Sequence, residues 1–301
     1  MLFGIMCGLV AALFQCTAYL YSKRFIQNNG NCFQLLFASH LIMGIISSIG
    51  LGVLLLKHDI PPVSTFWYPL LKVVSFYLSA QFCFFLALNK TEASRLAPLL
   101  GLKILFLAAL GILIFNHSLL PLQWVAVFLC LIGAVMSNWS GSAIPLPAII
   151  YILLACFGYS LSDLNIKVLI DTLLLKDRVI GTLIAAGLSY FTLGGISLIA
   201  FIVLPQVKVS YLKPAAPFAV SWLIAMVLLF GCFGLIGPLF GNIVQSSRGI
   251  MAVVIGIAIA KFADSTLEQQ LTKQVMLRRI TAAIFITAAI ILYAVAEKPT
   301  F

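Results

Sequence analysis

Four charged side chains lie where charge is expensive. Lys103 stands seven residues into the apolar run 96–115, and Asp163 lies well inside the apolar run 148–169. Arg95 and Arg248 each stand at the opening of an apolar run. An ionisable group near the centre of a membrane helix costs roughly 2.5–3.5 kcal/mol on insertion scales, so each one calls for a partner or a ligand. Arg95 precedes Lys103 by eight residues, which at 100° per residue leaves their directions only about 80° apart. Both can therefore face one cavity, and a positive cavity takes a carboxylate or a phosphate. The structural alternative is that Arg95 caps a neighbouring helix while Lys103 binds backbone carbonyls. For Asp163 the local alternative is an ion pair with Lys167 at i+4. The chemical one is a proton-coupling site, since a carboxylate in low dielectric can exchange protons.

Uncharged polar groups fall at helical spacing around these charges. Gln15 and Tyr19 are four residues apart in the first apolar run, and Tyr77 and Gln81 are four apart in the third. Each pair shares a helix face, where it either hydrogen-bonds a substrate or ties two helices together. His40 is a lone histidine on an apolar stretch and is expected to pack. Lys72, near the start of its run, is expected to snorkel to the interface. The cysteines are scattered singly with no metal spacing, so no metal and no cofactor is expected. No His-Glu-x-x-His, Gly-x-Ser-x-Gly or P-loop pattern occurs, which speaks against an enzyme.

The elements that must hold these residues are membrane helices. With 63% hydrophobic and 9% charged residues, the chain cannot make a soluble surface, which carries roughly 25% charge. Its net charge of +10 belongs in loops at an anionic lipid face rather than on a nucleic-acid interface. Apolar runs near the ~20 residues that span a bilayer occur at 2–21, 33–56, 68–88, 96–115, 122–137, 148–169, 180–204, 219–240, 249–263 and 280–296. That reading gives ten transmembrane helices. The uncharged Ser/Pro/Gly stretch 137–147 divides them into two halves of five, residues 1–140 and 145–301. The run 264–279 is the longest polar link.

A short stretch occurs once in each half. Asn89, Ser94 and Arg95 align with Asn242, Ser247 and Arg248 at a single offset. Lys23 likewise falls opposite Lys167, and the His117–Gln123 spacing matches Glu268–Gln274. A duplication with an odd number of helices per half inserts the halves in opposite orientations, as in transporters built from inverted repeats. Gly4-x-x-x-Gly8 and Gly237-x-x-x-Gly241 permit close helix contacts. Pro238 can kink the eighth helix, whose concentration of Gly and Pro suits either a flexible gate or plain close packing.

On the Ser-Arg openings of helices 4 and 9 and the Glu268-x-x-Leu271-x-x-Gln274 stretch, the whole chain resembles the EamA-type members of the drug/metabolite transporter superfamily. It departs from their pattern at His117, where a Glu is usual. The resemblance implies an all-α membrane protein of two inverted five-helix repeats. It further implies a secondary transporter that exports a small polar metabolite such as an amino acid by alternating access. The plasma (bacterial inner) membrane and cytoplasmic termini also follow from it, although the Lys/Arg bias of the links alone places the termini outside. The expected partners are membrane lipid and an anionic or zwitterionic small molecule, with no nucleic acid. The chain is expected to be a monomer, because two fused halves complete one pathway. The competing reading is a non-transporting membrane protein, either a lipid-modifying enzyme or a scaffold.

Overall fold

In lipid every backbone polar group must be paired within the protein, and continuous apolar runs satisfy this as helices. The computed structural model describes residues 1–29, 32–90, 99–115, 118–137, 145–173, 175–204, 208–248, 251 and 273–296, and these contain no strand. In chain order the helices are α1 (Leu2–Asn29), α2 (Cys32–Leu55), α3 (Val63–Leu88), α4 (Lys103–Phe115) and α5 (Pro121–Ser137). They continue as α6 (Leu146–Thr172), α7 (Arg178–Val203), α8 (Leu212–Ile236), α9 (Pro238–Gln245) and α10 (Lys273–Ala296). Single 3₁₀ turns at Leu99–Leu102 and Val209–Tyr211 lead into α4 and α8. Helices α1, α2, α3, α6, α7 and α8 are long and apolar enough to cross a membrane, and shorter apolar helices cover Leu99–Ile114, Pro121–Gly133 and Ile280–Ala296.

The outer faces stay apolar. Ile49 on α2 is 67% exposed and Ile202 on α7 is 77% exposed. Residues of that kind facing outward along whole helices call for lipid as the solvent. The chain is therefore an all-α, multi-pass integral membrane protein.

The most extensive helix packing joins α1 to α8, α3 to α6, α2 to α7 and α5 to α10. Small residues make these approaches close. A Cβ on Gly8 would meet Cys232 Sγ and Val244 Cγ1 at 2.9 Å, and one on Gly158 would meet Ala80 Cβ at 3.0 Å. The Gly4–Gly8 pair therefore seats α1 on α8 and α9, as its spacing predicts.

Several boundaries differ from the sequence reading. The expected eighth helix, 219–240, is broken. α8 ends at Ile236, and Gly237 adopts φ 79° and ψ 159° before Pro238 opens α9. Pro238 does not kink a continuous helix. It takes the first position of a new one, where its missing N–H is no loss. Gly237 likewise serves the turn rather than a helix contact, since a Cβ there would meet nothing within 4 Å. The tenth helix begins at Lys273 instead of 280, absorbing the end of the polar link. The fourth starts as a 3₁₀ turn and becomes α-helical only at Lys103. Residues 249–263 apart from Met251, together with Ser94, Arg95, His117 and Glu268, lie outside the described residues.

The Gly237 conformation is essentially closed to residues with a Cβ. Gly237→Ala is expected to lower stability by about 1–3 kcal/mol, read as a drop in the unfolding midpoint in detergent. An unchanged midpoint would mean that the α8–α9 break relaxes into an ordinary turn.

Candidate functional site

Five helices and the start of a sixth converge on one interior cavity. α1 contributes Gln15 and Tyr19, and α3 contributes Tyr77. The first residue of α4 is Lys103, and α6 brings Tyr159, Ser162 and Asp163. α8 adds Trp222 and Met226, and the end of α9 brings Gln245 and, just beyond it, Arg248. The i, i+4 spacing that put Gln15 and Tyr19 on one face does direct both to this space, and Tyr159 and Asp163, also four residues apart, share it.

An ion pair lies at the centre. Lys103 Nζ stands 2.7 Å from Asp163 Oδ2, with the two side chains only 9% and 5% exposed. Asn242 Nδ2 donates to the same carboxylate oxygen at 2.8 Å and to the Pro238 carbonyl at 2.8 Å. The ammonium of Lys103 also lies 5.6 Å from the centre of the Tyr159 ring, inside cation–π range. The expected Asp163–Lys167 pair does not form. Lys167 pairs instead with Asp171, one turn further on, at 2.5 Å. Both acids fit the i+4 geometry, but Asp171 lies toward the exposed end of α6, whereas Asp163 faces the interior.

Arg248 is the second cation of the site. Its Nη1 donates to Gln15 Oε1 at 3.0 Å and to Tyr19 Oη at 3.4 Å, and its Nε donates to the Gln245 carbonyl at 3.1 Å. Gln15 also places its Nε2 3.8 Å from Met226 Sδ. Among the described residues the cavity thus holds two cations and one carboxylate, an excess of one positive charge. In this conformation it has a volume of ≈ 30 Å³, room for one or two waters.

A hydrogen-bonded layer supports the cavity from behind. Gln81 does not line it but accepts a hydrogen bond from Tyr159 Oη. Trp222 Nε1 donates to Tyr77 Oη at 2.8 Å, and His40 Nε2 lies 3.2 Å from the same oxygen. His40 Nδ1 lies 2.7 Å from the Leu36 carbonyl, which can only accept. His40 therefore carries its proton on Nδ1, and in the neutral ring Nε2 accepts from Tyr77. His40 packs as expected, and it also fixes Tyr77. Lys72 lies outside the site, its Nζ 4.1 Å from the centre of the Tyr68 ring.

Sequence reasoning missed Trp222 and Gln245, and it noted Asn242 only as part of a repeated stretch. Asn242 and Gln245 are three residues apart, a helical spacing that was open to reading. The connector containing them is instead helix α9.

Fold and site together define an all-helical membrane protein with paired charges and uncharged polar groups in its interior. Residues 2–139 match the EamA-like transporter family, the family that the sequence resembles. One solved structure, titled "Crystal structure of protein", shares the fold at a TM-score of 0.69 and 13% identity, covering 98% of this chain and 99% of its own. A comparison with curated proteins returned no match. The family is one of membrane transporters.

Proposed function

We propose that the chain is a secondary transporter with ten membrane spans. It would move a small zwitterionic or anionic metabolite, an amino acid or a related compound, by alternating access. Two inverted repeats, residues 1–140 and 145–301, would build it. The helix pairing supports that relation. Advancing each helix by five turns the α1–α8 pair into α6–α3, while α2–α7 and α5–α10 map onto themselves. A two-fold relation between the halves has this property, and five spans per half make the axis lie in the membrane plane.

The observation that carries the reading is the buried Lys103–Asp163 pair with Arg248 beside it, in a cavity built from both halves. The pair mimics the two ends of a zwitterion. A substrate carboxylate would take Lys103 and Arg248, and its ammonium would take Asp163 among the faces of Tyr159, Tyr77 and Trp222. Gln15 and Tyr19 would orient Arg248, with Gln81 holding Tyr159. Arg95, by the repeat, would be the counterpart of Arg248. Asp163 is also the proton-coupling candidate: once Lys103 turns to the substrate, the carboxylate exchanges its partner for the ligand's ammonium or for a proton. An amino acid needs more room than ≈ 30 Å³, so entry requires the halves to part, which is the alternating-access step. Export, the plasma membrane, cytoplasmic termini and a monomeric chain complete the proposal.

Ligand-induced thermal stabilisation of the detergent-purified protein tests it. A ligand that binds only the native state adds about 2.7 kcal/mol at a hundred times its Kd. Among acids, amino acids, amines and neutral compounds, zwitterions or anions are expected to raise the wild-type midpoint. Arg248→Gln, which keeps an amide near Gln15 but loses the charge, is expected to weaken that binding at least about tenfold, as for a lost charge-assisted bond. Stabilisation by amines alone, unchanged in Arg248→Gln, would overturn the reading.

A further inference from the structure

Each charged group of the cavity has partners within the protein, but one neutral group in it has none among the described residues. Gln245 is 1% exposed and lines the cavity, and neither its Oε1 nor its Nε2 has a hydrogen-bond partner among the described residues. Ser247 Oγ, two residues on and 5% exposed, is also without one. Buried amides are rarely left this way, because each unmade bond forfeits the full desolvation of the group. Nor is the side chain adrift. Gln245 closes α9, its carbonyl accepts from Arg248 Nε at 3.1 Å, and α9 is tied to Asp163 through Asn242. Its amide is thus held beside the charged groups with a donor and an acceptor to spare.

A site whose buried polar groups are completed only by the ligand discriminates strongly. An analogue that leaves those groups unpaired is rejected far more than one that merely changes size. Lys103, Arg248 and Asp163 account for the charged ends of a zwitterion, so the amide is left to read a neutral part. We infer that Gln245 is the specificity-determining residue of this cavity, selecting zwitterions that bear a hydroxyl or amide over their apolar isosteres. The inference rests on the binding-site reading above.

Isosteric pairs test it: threonine against valine, and asparagine against leucine, measured as apparent affinities by thermal stabilisation of the full chain. Wild type is expected to bind the polar member of each pair about 5- to 100-fold more tightly, the range for one or two unpaired buried groups. Gln245→Leu is expected to bring both ratios close to one, with valine and leucine binding as well as before or better. Gln245→Met, unbranched and of equal length, serves if the leucine variant does not fold. A ratio is compared within one protein, so a general loss of stability does not imitate the effect. If wild type binds both members of each pair equally and Lys103→Met weakens all four, the site stands and the role of Gln245 falls, its amide being satisfied by water. A ratio that survives in both Gln245 variants overturns the inference as well. If none of the four binds wild type, this inference and the zwitterion reading fall together.

Discussion

Lys103→Met is expected to lower the stability of the folded chain by about 3–5 kcal/mol, the usual consequence of removing one partner from a buried ion pair. The carboxylate left behind belongs to a side chain 5% exposed, with Asn242 Nδ2 at 2.8 Å as its remaining hydrogen-bond donor among the described contacts. One neutral amide cannot replace an ammonium at 2.7 Å. Asp163→Asn should be damaging for the mirror-image reason. Lys103 would then keep the Tyr159 face at 5.6 Å, an interaction that reaches about 2 kcal/mol at best. Removing both charges is different. Lys103→Met combined with Asp163→Leu is expected to recover most of the loss, because well-packed apolar groups in place of a buried pair are often neutral or stabilising. The double variant should fold and yet bind no zwitterion, which separates stability from function in one series. The measurements are unfolding midpoints in detergent for the three variants and a binding titration of the double variant. If each single variant matches wild type, the pair is not formed in the folded protein.

That ion pair marks the limit of what could be read from the chain alone. Lys103, Asp163 and Arg248 were legible as costly charges, and helical spacing put Gln15 with Tyr19 on one face. Each reading needed only local geometry. The partner of Asp163 was not legible, because Lys167 at i+4 is the only candidate that spacing offers and Lys103 arrives from another helix. The fold divides in the same way. Hydropathy locates apolar runs well, and nine of the ten expected runs correspond to helices of the described residues. It is blind to backbone torsion. The run 219–240 is apolar throughout, so the break at Gly237 does not register in it. The signal was the Gly237-Pro238 dipeptide, a helix stop followed by a residue suited to the first helical position. Missing that break turned α9 into a connector and hid Gln245, whose importance comes from what fails to touch it.

A single methyl on α7 should have opposite effects at two adjacent positions. A Cβ on Gly194 would lie 2.5 Å from the Cα of Gly44 on α2. One on Gly44 would run into the backbone of Gly194 and approach the Tyr190 carbonyl at 3.2 Å. Both obstacles are main chain, so no rotamer change relieves them and the helices must separate. Association of helices in lipid depends on close van der Waals packing, not on expulsion of water, so the separation forfeits the driving force itself. Gly194→Ala is therefore expected to cost about 3 kcal/mol or more, at or beyond the top of the usual range for overpacking. A Cβ on Gly195 would meet nothing within 4 Å. Gly195→Ala gains helix propensity worth about 1 kcal/mol and should leave stability unchanged or raised. Gly44→Ala should match Gly194→Ala, and the double variant should lose less than the sum, because the first methyl already opens the contact that the second would obstruct. Midpoints for the four proteins decide the matter. Equal values for Gly194→Ala and Gly195→Ala would show that α2 and α7 do not meet backbone to backbone.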